Sequence, residues 1–322
     1  MKVNLYNIIL LLGCLTLIII AIRKLFLHWK KDKRYRFFYG FLITANLVII
    51  QVLLMDLRLH KLHPWILILF VPFQYLSPVY FTAFIFYYFK KGEEYQKNKK
   101  YLLLPFIAFF LLYTILKINT LVDYVWISRK VFTIIHTEID ENSTLTFCII
   151  LSIWNLITIR EYENTIGTLS FTQVKKKTLW IKTMVSIFIV FNIIWLLIII
   201  LFYIRDDISG HFPYYPYWVL YLLFCYIFLY FGSKHLDEVL ENEISDEVAV
   251  QKAIQNFRMS GLNHIFSDKE LELIHYDKPS QITGILSYFS TSLFDKNKLD
   301  DVLWDIAENC IAYLQVEDCV IY

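Results

Sequence analysis

Between residues 4 and 233 the chain carries seven apolar runs without a single Asp, Glu, Lys, Arg or His, at 4–22, 37–55, 64–89, 101–116, 144–159, 183–204 and 216–233. A helix needs roughly 20 apolar residues to cross the hydrocarbon core of a bilayer. Lipid offers no hydrogen bonds to the backbone, so runs of this kind fold as helices that satisfy their own amides. The expected fold is therefore mostly α, a polytopic membrane bundle of about seven transmembrane helices. Composition agrees, because 57% of the residues are hydrophobic, whereas a soluble domain has about 45–50% apolar residues. The fifth run is short and interrupted by Asn155.

Charge orients the bundle. With the N-terminus outside, the inner loops hold seven basic residues from Arg23 to Arg36, five from Lys90 to Lys100 and five from Arg160 to Lys182. The outer segments hold seven: Lys2, Arg58, Lys61, Lys117, Arg129, Lys130 and Arg205. The excess of Lys and Arg on one side predicts N-out and C-in. Dropping the fifth run would move Lys175, Lys176 and Lys177 outside, against the same rule. Trp29 and Trp180 then fall near the inner interface and Trp65 and Trp218 near the outer one, where amphipathic rings suit headgroup depth. The first run is followed by HWKKDKRYR, a cytoplasmic anchor rather than a cleavage site. The basic clusters fix topology, and they also suit anionic membrane lipid.

The absence of ionisable groups from the spans disfavours proton-coupled pumps and many ion-coupled transporters, which place such groups at depth. What remains is Ser and Thr with Asn46, Gln51, Gln74, Asn155 and Asn192. Two uses stay open for these amides: hydrogen bonding between helices, or the lining of a small polar ligand pocket. Pro72, Pro78 and Pro105 interrupt the third and fourth spans and free carbonyls there.

Outside, the topology gathers His60, His63, His136 and His211 with Asp56, Glu138, Asp140, Asp206 and Asp207. His60 and His63 are three apart, a spacing that puts both on one face of a helix. These four histidines are candidates for outer-surface sensing of a metal or of pH; solvated loop histidines are the plainer alternative. Cys14, Cys148 and Cys225 lie in spans, and Cys310 and Cys319 lie in the C-terminal part, so none is placed for an extracellular disulfide. All five read as buried small apolar residues.

Composition changes near Gly232. Residues 1–233 carry 24 Lys and Arg against 12 Asp and Glu, and residues 234–322 carry 7 against 17. Three parts follow: a membrane domain at 1–233, a cytoplasmic helical linker at 234–280 and a terminal segment at 281–322. The linker opens with a helix from Lys234 to about Phe257, in which Leu236, Leu240, Ile244 and Val248 recur every four residues. After a polar connector, Ser280 caps a helix that shares Ile282, Ile285, Leu286, Phe289 and Leu293 on one face. A second helix follows with Leu299, Val302, Leu303, Ile306 and Cys310, and then a strand, Cys319 to Tyr322. A lone strand is not a stable unit, so the segment reads as the helical start of an α+β domain.

The stretch ITGILSYFSTSLFDKNKLDDVLWDIAENCIAYLQVEDCVIY resembles the start of a GAF domain from LytS-like membrane sensor histidine kinases of Bacteroidetes-type bacteria. The FSTSLF helix end, the DDVLWDIAENC helix and the DCVIY strand carry the likeness, over about 40 residues. The membrane half is similar in layout to a seven-helix sensory region found ahead of kinase or AraC-type DNA-binding domains, with LHPWILILFVPFQYLSPVYFTAFIFYYF as third span. The resemblance implies that the chain is the N-terminal portion of a longer receptor in the bacterial inner membrane, and that it dimerises. The phosphoacceptor and ATP-binding parts of such a receptor have no counterpart in these 322 residues.

No catalytic residue, cofactor-binding residue or metal set is assigned; no cofactor is expected, and the stimulus is an unknown small ligand. The C-terminal 89 residues, at −10 net from the 7 and 17 charges above, disfavour nucleic acid as a partner. Two other functions fit the same sequence: a transporter or channel subunit with a cytoplasmic tail, and a membrane-tethered transcription regulator.

Overall fold

The computed structural model describes residues 4–57, 59, 66, 69–121, 135, 139–166, 171–204 and 214–259. The described residues form seven α-helices: α1 (Leu5–His28), α2 (Lys33–Asp56), α3 (Phe73–Tyr88), α4 (Gly92–Leu121), α5 (Asp140–Ile166), α6 (Phe171–Ile204) and α7 (Tyr214–Met259). Among these residues there is no strand. All the helices except α3 are long and apolar enough to cross a membrane. The chain is a multi-pass membrane protein.

The helix starts are written locally. Asn4 caps α1 by accepting the amide N–H of Asn7 at 2.8 Å, and Asp32 caps α2 by accepting that of Arg34 at 2.6 Å. These side chains satisfy donors that a helix N-terminus leaves open. Between α3 and α4, Lys90 adopts a left-handed backbone with φ of 58°, which ends the first helix and turns the chain into the second. The interrupted fifth run nonetheless forms one helix of 27 residues, because Asn155 bonds sideways to another helix rather than to its own backbone.

The third run departs from expectation. Of 64–89, α3 takes up only Phe73–Tyr88, with Pro72 at its N-cap. Proline suits a helix start, where its missing N–H costs nothing. The non-helical backbone just before it is served by α2, since Gln51 Nε2 donates to the carbonyls of Leu69 and Val71, both at 2.9 Å. Irregular backbone at membrane depth is tolerated where protein covers it.

At 16 residues, α3 reaches about 24 Å, short of the ~30 Å hydrocarbon core. It still reverses the chain. Along α2 and α3, Phe38 meets Phe84 and Phe41 meets Phe81, with ring centroids 5.3 and 5.0 Å apart, so the two helices run antiparallel. Tyr6 stacks on Tyr215 at 5.4 Å, and Gly13 lies against Leu222, so α1 and α7 run parallel. Parallel first and last helices require an even number of reversals between them, which seven alternating helices give and six would not.

A short helix can serve because α3 is central. Phe81 and Phe84 contact Phe188 and Trp180 of α6 and Phe228 of α7. Tyr75 stacks on Phe109 of α4 at 4.5 Å, and Phe86 meets Trp154 of α5 edge-on at 5.1 Å. Val79, Phe81, Ala83, Phe84, Ile85 and Phe86 are buried. The outer helices show the complementary pattern, exposing Leu12, Ile19, Leu104, Leu111, Ile150 and Leu197 while Asn46, Thr82, Ser152, Asn155 and Asn192 are buried. Apolar outside and polar inside is the arrangement lipid selects.

The tryptophans differ in burial. Trp29 is exposed beneath the Arg36 guanidinium, 4.9 Å from its ring. Trp180 is buried between helices and donates Nε1–H to the Tyr88 hydroxyl at 3.1 Å. Trp65 lies outside the described residues. Cys14, Cys148 and Cys225 are buried and free; Cys310 and Cys319 fall outside the described residues.

The chain divides into Met1–Gly232 and Ser233–Tyr322. Of the second unit, the described residues 233–259 belong to α7. The GAF-like segment 281–322, with its two helices and strand, lies outside the described residues.

Candidate functional site

Two acidic residues open α5, and packing converts them from loop charges into parts of a network. Asp140 is buried, and its carboxylate accepts from Gln74 Nε2 of α3 at 3.0 Å and from the Tyr113 hydroxyl of α4. Its backbone carbonyl accepts from the Tyr75 hydroxyl at 3.2 Å. Glu141, the next residue, accepts from Trp195 Nε1 of α6 at 2.9 Å and from the Tyr214 hydroxyl of α7 at 2.6 Å. Both carboxylates sit in the first turn of a helix, where the N-terminal dipole favours negative charge. Five helices therefore converge on two consecutive residues.

Asp56 makes a similar junction. At the end of α2 it accepts from the Tyr215 hydroxyl of α7 and, at 3.5 Å, from Asn7 Nδ2 of α1. All three acids lie at the end of the bundle where α1, α3, α5 and α7 begin. The opposite end holds the ion pairs of Lys91 with Glu161 and of Lys182 with Glu163.

Below the acidic pair lies a cavity of about 40 Å³ walled by α2, α3, α5, α6 and α7. That volume admits about three water-sized groups. Gln74 and Trp195 belong to its wall, so the side chains that hold Asp140 and Glu141 also form the roof of the cavity. Phe188, Phe191, Tyr217 and Tyr221 supply an aromatic lining, with Ser77, Thr144, Asn192 and Trp218 among the polar groups. None of the lining residues is charged.

Those four polar groups are distinctive. Asn192 Nδ2 and Trp218 Nε1 are buried donors with no acceptor. Ser77 Oγ and Thr144 Oγ1 are buried as well, with the Tyr221 and Tyr75 hydroxyls as their neighbours. A buried polar atom left unbonded costs free energy comparable to a lost hydrogen bond, so clusters of them around a space mark a place that something polar completes.

The amides singled out in the sequence divide between both uses left open for them. Gln51 and Gln74 bond to other elements as above, and Asn155 Nδ2 donates to Thr82 Oγ1 of α3 at 3.2 Å. Asn46 Nδ2 turns back to the Leu42 carbonyl of its own helix at 2.8 Å. Asn192 lines the cavity. Gln74 also lines it while bonding across helices.

His60, His63, His136 and His211 lie outside the described residues, as do Glu138, Asp206 and Asp207. Among the described residues no three His, Cys, Asp or Glu side chains are grouped to hold a metal ion. Glu141, Trp195 and Tyr214 were not among the candidates in the sequence; Glu141 and Tyr214 stand just outside apolar runs and Trp195 within one. No family model, curated protein or solved structure matches the chain.

Proposed function

We propose that the chain is the membrane-embedded sensory and signal-transmitting portion of a two-component receptor, a sensor histidine kinase whose kinase core is not among these 322 residues. The observation that carries this reading is that one helix serves both tasks. Tyr217, Trp218 and Tyr221 of α7 wall the polar cavity, and α7 then continues unbroken to Met259. A ligand that favours one position of α7 over another would bias everything attached to that helix, which is what transmission requires. The C-terminal likeness to a GAF domain supplies the kind of output.

In this reading the protein lies in the bacterial inner membrane with its N-terminus outside and its C-terminal part in the cytoplasm. The basic loops face anionic membrane lipid. A homodimer is the oligomeric state that the resemblance implies, and nucleic acid is not a partner of this chain. His60, His63, His136 and His211 stay candidates for outer-surface sensing in this reading.

The reading frame beyond the codon for Tyr322 tests the proposal. The expected result is the rest of a GAF sheet followed by a phosphoacceptor helix and an ATP-binding domain. A stop codon with no such continuation, or a DNA-binding output, would refute the kinase assignment.

A further inference from the structure

We propose that a groove between α4 and α5 holds an uncharged, single-chain amphiphile drawn from the bilayer, its hydroxyl against Thr146 and its hydrocarbon chain along Phe109, Phe147 and Ile150. The groove is separate from the cavity beneath the acids. Binding there requires no signalling, but within the sensory reading it supplies a stimulus.

Tyr75 of α3 floors the groove, Pro105 and Phe109 of α4 form one wall, and Phe147 and Ile150 of α5 form the other. The Tyr75 ring stacks on Phe109 at 4.5 Å and meets Phe147 at 6.1 Å, so floor and walls join in one aromatic surface. Phe109 stands about 18 Å from the end of α4 at Leu121, and Ile150 about 15 Å from the start of α5 at Asp140. The groove therefore lies at hydrocarbon depth. Leu104, Leu111 and Ile153 beside it are exposed, and exposure of such residues in a membrane bundle is exposure to lipid. An occupant enters sideways, from the bilayer.

Size, charge and hydrogen bonding narrow that occupant. The groove offers about 460 Å³, room for about fifteen groups of water-molecule size at ~30 Å³ each. One hydrocarbon chain fits, and both chains of a phospholipid do not. No charged side chain lines the groove, and the carboxylates of Asp140 and Glu141 at the start of the same helix repel an anionic head. Those carboxylates already accept from Gln74, Tyr113, Trp195 and Tyr214, so a cationic head finds no partner in the groove either. Thr146 Oγ1 donates to the Asn142 carbonyl at 2.9 Å, which leaves its lone pairs as acceptors. The head that complements it is a donor, and a hydroxyl is the smallest neutral one.

The test uses the full chain in phosphatidylcholine nanodiscs and a decan-1-ol carrying a diazirine on its chain. After irradiation, peptide mass spectrometry locates the adducts. The expected result is saturable labelling at Phe109, Phe147 or Ile150, displaced by decan-1-ol at a mole fraction at least about tenfold lower than by ionised decanoate or by decane, the effect of one or two hydrogen bonds and an excluded charge. Labelling that rises in proportion to probe and spreads over exposed positions such as Leu12 and Leu197 would be ordinary lipid contact and would overturn the proposal. Equal displacement by decanoate would overturn the neutral head, and equal displacement by decane the hydroxyl. Thr146→Val should weaken labelling about fivefold through loss of one hydrogen bond, and Ile150→Trp should abolish it by filling the groove. Unchanged labelling of both variants would overturn the placement. The competition on the unsubstituted chain needs no variant to fold.

A separate measurement distinguishes failure of the sensory reading. In a cysteine-free background, spin labels at Lys31→Cys and Phe231→Cys report movement of α7 with and without decan-1-ol. Saturable binding with no change in the distance between labels would leave the site standing and remove its role as a stimulus.

Discussion

The Cβ that Gly232 lacks would lie 2.4 Å from Cε2 of Phe38. Phe38 is fully buried and meets Phe84, Phe228 and Tyr39, so its ring has nowhere to retreat. The absence of a side chain at Gly232 is what lets α7 lie against α2.

Gly232→Ala should therefore destabilise the bundle by about 1–3 kcal/mol, as overpacking does. Gly13 provides the contrast. A Cβ there would meet Leu222 Cδ2 at 2.5 Å, the far end of a flexible side chain that can rotate away. The helix gains ~1 kcal/mol of propensity from Ala over Gly, so Gly13→Ala should leave stability within about 1 kcal/mol of the starting protein. Thermal unfolding of both variants in the same detergent checks the order, and equal losses would contradict the packing described.

The Asp140 network predicts coupling between helices. Tyr113→Phe removes one hydroxyl from the carboxylate without changing the ring, and a hydrogen bond to a charged group is worth about 1.5–3 kcal/mol. Combined with Asp140→Asn, the two changes should cost less than their separate effects, because they share one interaction. A double-mutant cycle measures this. Strict additivity would show that α4 and α5 are not linked through these side chains.

Topology yields the third prediction. With native cysteines replaced, Lys31→Cys and Glu94→Cys should react with a membrane-impermeant thiol reagent only after the inner face is opened, and Leu57→Cys in intact cells. The basic excess near Lys31 and Lys91 is what this proposed orientation rests on. Labelling of Lys31→Cys in intact cells would reverse it.

Much of this was legible before any coordinates. Absence of charge over some 20 residues is a local property, and lipid turns it into a helix with little further information. Six helices therefore formed where the apolar runs stood, extended at their polar ends, as α4 was back to Gly92 and α6 back to Phe171. The ends of α3 were less legible, because the apolar run continues before Pro72, where Gln51 of another helix bonds the carbonyls of Leu69 and Val71.

The site itself was only half written in the chain. Sequence offered Asp140 as an outer acid and Asn192 as one of five span amides, with nothing to join them. Whether an amide bonds to a neighbour, as Asn155 does, or faces an open space, as Asn192 does, depends on what the opposing helix presents at that depth. Glu141 carried no signal at all until Trp195 and Tyr214 stood beside it.

By itself, then, the sequence determined that the chain lives in a membrane, where its helices run and which end of the bundle is basic, since each follows from the transfer of short segments between water and lipid. Only the tertiary structure decided that the shortest described helix is the central one, that three acids are held by hydroxyl, indole and amide donors, and that four polar side chains line one cavity. Those outcomes depend on pairs of residues as far apart as Tyr6 and Tyr215, and hydropathy, which sums over neighbours in the chain, contains no record of such pairs.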